Sequence, residues 1–205
     1  LALAELERAL DIGAAGVMVT ASINGKHLIE PTFEPTWREL DRRGLPVLIH
    51  PTAPFGSKEA DFGIERILMP GAGFMFDTTI GIARMAVDGF FERFQDVKII
   101  ASHGGGYLPY VAGRIDMFFQ AETLAKLKIT ELPSEFLKRI YYDAVLYDQG
   151  ALDLCIDLAG PKKVLFGTDF PMPCDIPKLY ELVETRPAEE AAAIKGGNAV
   201  KMFNL

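Results

Sequence analysis

Three side chains that can bind a metal ion or move a proton end predicted β-strands. His50 ends LPVLIH, His103 ends VKIIASH and Asp169 ends KVLFGTD. Proline or glycine follows each within two residues and bends the backbone. Because parallel strands of a barrel open onto one face, we expect the three side chains to converge on one pocket. Two imidazoles and a carboxylate suit a divalent ion such as Zn²⁺, with a position left for water.

The distribution of histidine favours this functional interpretation over a structural one. The chain has only three histidines, and two of them occupy these positions. The third, His27, follows an Asn-Gly turn, and we interpret it as structural or substrate-facing. The HGGG segment that begins at His103 also occurs in esterases, but their chemistry requires a GxSxG nucleophile elbow, which this sequence lacks. Serine hydrolysis is therefore disfavoured.

The elements that must position these residues alternate between strand and helix. Strands are predicted at 15–20, 45–50, 97–103, 140–146 and 163–169. Helices are predicted at 1–10, at 35–43, from Asp77 as N-cap, after Gly106, after Asp148, at 176–184 and at 188–205. The strands are hydrophobic on both faces, which is typical of a parallel sheet covered by helices. The sequence therefore predicts a single α/β domain spanning residues 1–205.

Two architectures fit this alternation. The first is a partial TIM (β/α)₈ barrel, comprising about the last five βα units with the N-terminal strands missing. The second is an open doubly wound sheet, which usually carries a GxGxxG phosphate loop that does not follow Val19 here. We favour the barrel. A partial barrel would expose apolar strand edges, so we also expect association. Either a homodimer or swapped or disordered N-terminal segments would cover that surface.

Composition excludes several classes of partner. The 205 residues are 49% hydrophobic, and 21 Lys and Arg stand against 28 Asp and Glu, giving a formal net charge of −7. No basic run exists, so nucleic acid is not expected as a partner. No apolar stretch approaches the roughly 20 residues of a membrane helix, so no membrane is expected either. Two cysteines, Cys155 and Cys174, predict a reducing compartment and hence a cytoplasmic location.

Several segments resemble the amidohydrolase-related family (amidohydrolase 2), whose decarboxylases and hydrolases are typified by aminocarboxymuconate-semialdehyde decarboxylase. The resemblance covers essentially the whole chain. The order and spacing of the segments fit as well as their residues. They are LPVLIHPTA, DTTIGIARMAVDGFFERFQDVKIIASHGGGYLPYVAGRID, YYDAVLYD, VLFGTDFPMP and GGNAVKMF.

The resemblance implies roles for five residues. His50 and Asp169 are implied metal ligands, and His103, together with Asp169, is implied to be catalytic. Arg114 matches an arginine that crosses a dimer interface to hold a substrate carboxylate, although a helix-surface salt bridge is the alternative. Phe170 matches an aromatic position and is expected to bind substrate. Relatives also carry an HxH pair of metal ligands on the first strand, and this sequence contains none.

The activity implied by the resemblance is metal-dependent decarboxylation of a small unsaturated or aromatic carboxylic acid. Zinc, or alternatively manganese, would activate a water molecule whose proton His103 accepts. Two rival interpretations remain open at this point. One is hydrolysis or hydration of a related carboxylated lactone or enol acid, and the other is a catalytically inactive fragment kept for assembly.

Overall fold

A computed structural model describes residues 1–59, 67–122, 129–172 and 174–205 of the protein. Ten α-helices lie within these ranges, at Ala2–Asp11 (α1), Glu34–Arg42 (α2), Phe74–Val87 (α3), Phe90–Arg93 (α4), Leu108–Ala121 (α5), Pro133–Leu137 (α6), Gln149–Ala159 (α7), Ile176–Glu184 (α8), Ala188–Ala192 (α9) and Asn198–Phe203 (α10). Seven strands lie there, at Val17–Thr20 (β1), Ser22–Ile23 (β2), Lys26–His27 (β3), Pro46–His50 (β4), Lys98–Ala101 (β5), Tyr141–Asp143 (β6) and Val164–Leu165 (β7).

The principal sheet is parallel and has five strands in the order β1-β4-β5-β6-β7. This order follows the chain without a reversal. A doubly wound sheet reverses its strand order at a switch point, so the observed order disfavours that alternative. The predicted α/β class with a parallel sheet is confirmed. The two remaining strands, β2 and β3, form an antiparallel hairpin that turns through Asn24 and Gly25, both with positive φ.

One face of the sheet is packed against the helices. Alternate strand residues point to this face because the side-chain period of a strand is two. The strand residues there are at most 1% exposed, and they are Val47, Ile49, Ile99, Ala101, Tyr142 and Val164. Helical residues such as Leu40, Ile82, Phe90 and Leu152 complete the core. No helix in the described ranges is both long and apolar enough to cross a bilayer.

The opposite face of the sheet carries the candidate site. A small cluster forms there where Met202 of α10 packs with Ile100 and Leu165. On the same face, Met18 of β1 lies opposite Leu48 of β4 in the strand register, and Met18 is 66% exposed. This face is therefore only partly covered by the described residues.

The start of α3 differs from the prediction. Asp77 was expected as the helix N-cap, but α3 begins at Phe74, directly after a π-helical turn at Met69–Gly73. Asp77 is instead 4% exposed, and its Oδ2 accepts a hydrogen bond from the Thr52 amide at 2.8 Å. The carboxylate therefore fixes the backbone of the loop that follows His50. This hydrogen bond explains why an acidic residue of α3 is buried. The sequence also predicts a long irregular loop from Pro51 to about Phe74, and residues 60–66 of this loop lie outside the described residues.

Candidate metal centre

His50 is the last residue of β4, and the backbone after it orients its ring. The ring Nδ1 lies 2.9 Å from the Pro51 carbonyl oxygen. Because a carbonyl can only accept, the neutral imidazole carries its proton on Nδ1. The lone pair is then on Nε2, which lies 3.3 Å from Asp169 Oδ1. This pattern, in which one ring nitrogen donates to a carbonyl, is the usual way a protein orients a metal-binding histidine.

His103 lies two residues beyond the end of β5 rather than on the strand as predicted. The strand ends at Ala101, and His103 then takes a left-handed backbone conformation with a φ of 53°. Gly104, Gly105 and Gly106 follow with φ values of 60°, 73° and 63°. A left-handed residue cannot continue a β-ladder, which explains the early end of the strand. The run of glycines is needed because residues with a Cβ adopt this conformation at a cost.

Gly106 is the position in this turn where we expect a side chain to be tolerated least. A Cβ there would lie 2.3 Å from the Met75 carbonyl oxygen, and the φ is also unfavourable. Gly106→Ala is expected to lower the free energy of unfolding by about 3 kcal/mol, measured by urea denaturation. Gly196→Ala is the matched control, because its Cβ would meet nothing within 4 Å. Equal stability of the two variants would contradict the proposed packing of the turn.

The His103 imidazole faces the same carboxylate as His50. His103 is 7% exposed, and its Nε2 lies 3.4 Å from Asp169 Oδ2. The two imidazole rings meet edge to face, with 5.3 Å between their centroids. The other ring nitrogen, Nδ1, is buried and has no hydrogen-bond partner among the described residues. His103 is thus oriented through its backbone rather than through a bond to Nδ1.

Asp169 lies between the two histidines. Strand β7 ends at Leu165, so the predicted strand through Asp169 is too long. Asp169 has a φ of 58°, and its carbonyl accepts a hydrogen bond from the Met172 amide at 2.9 Å. Aspartate is one of the few residues that tolerate this left-handed conformation. The turn aims one carboxylate oxygen at each imidazole.

The donor set of this cluster fits a divalent cation. One ligand atom from each of His50, His103 and Asp169 lies within 4.8 Å of the others. The His50 Nε2 lone pair and the carboxylate are both acceptors, and two acceptors repel each other unless a proton or a cation lies between them. Two imidazole nitrogens and a carboxylate are ligands that both Zn²⁺ and Mn²⁺ accept.

Of the two predicted substrate-binding residues, Phe170 is next to the cluster in the chain and Arg114 lines a separate groove. Arg114 lies on α5, where its guanidinium stacks on the Phe118 ring at 5.0 Å from the centroid. It lines a groove of about 450 Å³ with Val111 and Phe118, and none of the cluster residues lines that groove. Phe170 is next to Asp169 in the chain, and it is 76% exposed.

Two residues near the cluster were missed in the sequence. Asp143 ends β6 and accepts a hydrogen bond from the Gly104 amide at 3.1 Å. The second residue is Tyr147. Burial raises the pKa of its hydroxyl, and the Cys174 thiol and the Asp169 carboxylate raise it further. For Asp143 the available signal was the sequence YYD, in which a strand ends in an acidic residue just as β4 ends in His50. Because the predicted strand continued to Leu146, Asp143 was placed inside the strand rather than at its end.

Comparison with known proteins assigns this geometry to a family. The sequence profile of the amidohydrolase family matches residues 1–205, which is the entire chain. The chain belongs to the amidohydrolase family. The chain is 30% identical to the 2-amino-3-carboxymuconate-6-semialdehyde decarboxylase of Dictyostelium discoideum over 207 residues, covering 98% of this chain and 56% of that relative. It thus spans little more than half of the relative's length.

Solved structures of decarboxylases share the fold of this amidohydrolase. The 5-carboxyvanillate decarboxylase of Sphingomonas paucimobilis has a TM-score of 0.84 and 28% identity, covering 98% of this chain and 62% of its own. A dihydroxybenzoic acid decarboxylase of Polaromonas sp. JS666, solved with bound manganese and the inhibitor 2-nitroresorcinol, has a TM-score of 0.86. Its identity is 24%, with 98% of this chain and 64% of its own covered, so this likeness shows the fold alone.

Proposed function

We propose that this amidohydrolase is a metal-dependent decarboxylase of a small unsaturated or aromatic carboxylic acid. The observation that carries the proposal is the convergence of the His50 and His103 Nε2 atoms on the two oxygens of Asp169. The similar proteins compared above are decarboxylases that act on carboxylates of this kind. The combination favours decarboxylation over the other reactions that a metal and a histidine can support.

We propose that residues 1–205 form one domain, which supplies five of the eight strands of a (β/α)₈ barrel. Two observations support this. The five parallel strands follow one another in chain order, as they do in such a barrel. The exposed Met18 on the first strand leaves apolar surface that a further strand would cover. The greater length of the decarboxylases that share the fold provides room for three more strands.

In the proposed reaction, His50 and Asp169 hold the metal and His103 moves the proton. Zinc or manganese, when bound, would act as a Lewis acid and lower the pKa of a water molecule. His103 is suited to proton transfer because one imidazole can both accept and donate a proton. Its Nε2 lies 3.4 Å from Asp169 Oδ2, so a molecule bound at this carboxylate would be within reach of the imidazole. The carbon that loses CO₂ keeps the electron pair of the broken bond and takes up a proton.

The surroundings of the cluster suit an aromatic or unsaturated acid. Phe170 follows Asp169 directly, and its exposed ring can stack on a planar substrate. Burial raises the pKa of Tyr147, which follows β6 in the chain, so its hydroxyl is protonated and can donate a hydrogen bond. We also propose a cytoplasmic location, which the two free cysteines support.

We propose a homodimer in which Arg114 binds the substrate carboxylate of the partner subunit. Helix α5 exposes Tyr110 (80%) and Phe118 (54%) beside Arg114, an apolar surface that a second copy would cover. Arg114→Ala is expected to raise KM for the carboxylate by about tenfold or more, because a charge-assisted hydrogen bond is lost. Steady-state kinetics checks this, and Arg114→Lys should lose less.

A mixing experiment distinguishes the two possible locations of Arg114. Arg114→Ala and His103→Ala subunits are each inactive or impaired alone. If Arg114 acts across the interface, a mixed dimer has one site with both residues intact, so random mixing should restore about a quarter of wild-type activity. Failure to restore activity, with dimers seen by size-exclusion chromatography, would place Arg114 in its own subunit's site or outside it.

A CO₂-release assay tests the proposed function. The protein is loaded with Zn²⁺ or Mn²⁺ and incubated with 5-carboxyvanillate, 2,6-dihydroxybenzoate and 2-amino-3-carboxymuconate-6-semialdehyde. We expect stoichiometric CO₂ from at least one of these, and none from His103→Ala. Hydrolysed or hydrated products without CO₂ would favour the lactone or enol-acid reaction. No turnover of any carboxylate or lactone, with metal bound, would favour an inactive chain.

A further inference from the structure

We propose that Asp143 is a positioning residue that holds the His103 turn in place, so that His103 Nε2 faces Asp169. This inference rests on the proposed function, because it concerns the proton-transfer residue of that reaction. Asp143 itself is outside the ligand cluster. It acts through the backbone of the turn rather than on the substrate.

The hydrogen bonds of the Asp143 carboxylate carry the inference. Its Oδ1 accepts from the Gly104 amide at 3.1 Å and from the Val145 amide at 3.0 Å. One amide of the turn and one amide just after β6 thus donate to the same carboxylate oxygen. The bond from Gly104 ties the turn that follows His103 to the end of the next strand.

The conformation of the turn explains why it needs such a brace. His103 is a residue with a Cβ in a left-handed conformation, which such residues adopt rarely. Its Nδ1 has no hydrogen-bond partner among the described residues, so no hydrogen bond at that nitrogen fixes the ring. The orientation of the imidazole therefore depends on the backbone that Asp143 holds. A conformation of this kind persists only where the surrounding structure determines it.

Further contacts surround the Asp143 carboxylate and the turn. Gly167 packs on Asp143, and a Cβ at Gly167 would lie 3.3 Å from Asp143 Cβ. On the other side of the turn, Cys155 Sγ donates to the Gly104 carbonyl at 3.3 Å. Burial, and secondarily the Asp143 charge, raises the pKa of Cys155 to about 12, so its thiol stays protonated and can donate. The residue Gly104 is thus held by hydrogen bonds at both its N–H and its C=O.

Burial raises the pKa of Asp143, and the His103 imidazole and the neighbouring backbone amides offset this rise only in part. The hydrogen bonds from Gly104 and Val145 need only an acceptor oxygen, so the bracing role does not depend on the charge of Asp143.

Two substitutions at Asp143 separate the bracing role from a role in charge. Asp143→Ala removes every acceptor oxygen, so we expect kcat to fall about 100-fold while KM changes less than about threefold. Asp143→Asn keeps an acceptor oxygen for the amides of the turn, so it is expected to rescue most of this loss. Equal losses in both variants, or an Asp143→Ala enzyme with wild-type kcat, would overturn the positioning role. Cys155→Ala is a milder test of the same turn and should lower kcat less.

A second readout does not depend on activity. With three histidines in the chain, the imidazole C–H signals can be assigned by NMR from His27→Ala, His50→Ala and His103→Ala spectra. In Asp143→Asn the His103 signals should stay close to wild type, and in Asp143→Ala they should shift or broaden while the His27 signals stay unchanged. A selective change at His103 without any decarboxylation would refute the proposed function but support the brace. Unchanged His103 signals in Asp143→Ala would refute the brace even in an active decarboxylase.

Discussion

His103→Ala is expected to lower kcat for decarboxylation by about 10³-fold while the bound metal stays near the wild-type amount. The imidazole is the proposed proton carrier of the cluster, and its Nε2 lies 3.4 Å from Asp169 Oδ2. His50 and Asp169 remain to hold the ion. Steady-state CO₂ release gives kcat, and elemental analysis of the dialysed protein gives the metal content. A loss of this size corresponds to about 4 kcal/mol of transition-state stabilisation.

His27→Ala is the matched control for this experiment. His27 is the third histidine of the chain, and its ring packs against Phe55 with 5.0 Å between centroids rather than joining the cluster. We expect it to keep the wild-type metal content. If His103→Ala loses its metal as well as its activity, His103 is a ligand and a different group moves the proton. If it keeps its activity, the proposed mechanism is wrong.

The sequence predicted which side chains form the cluster, but it did not predict the backbone conformations that bring them together. His50, His103 and Asp169 could be selected because parallel strands open on one face, which needs only the order of strands and their approximate ends. The exact ends could not be predicted. His103 and Asp169 lie beyond the ends of their strands and both adopt left-handed conformations, which tertiary contacts determine.

The supporting residues illustrate the same limit. Asp77 has the sequence signature of a helix N-cap, yet its carboxylate binds the Thr52 amide of a distant loop. Asp143 resembles any acidic residue at the end of a strand, yet it accepts the Gly104 amide from 39 residues away. A side chain that binds the backbone of another segment leaves no periodic pattern in its own segment. Local propensity therefore misplaces it, and only the assembled sheet reveals the partner.

Asp169→Asn is expected to weaken Zn²⁺ or Mn²⁺ binding by about 100-fold or more, because it removes the only negative charge in the cluster. The amide is the same size as the carboxylate, and asparagine also tolerates the positive φ of 58° found here. The fold should therefore persist. Isothermal titration calorimetry on the metal-free protein measures the affinity directly. His50→Ala should show a comparable loss, since its Nε2 is the other ligand beside Asp169 Oδ1.

Thermal unfolding gives an independent measure of the same site. A ligand that binds only the folded state stabilises it by about 2.7 kcal/mol at a free concentration 100 times Kd. Wild type and Asp157→Asn, which changes an exposed aspartate on α7, should both show this metal-dependent rise in Tm. Asp169→Asn should not, because the ion then lacks its anionic ligand. A wild-type rise in Asp169→Asn would mean that the metal binds elsewhere, and the assignment of this cluster as the metal site would have to be abandoned.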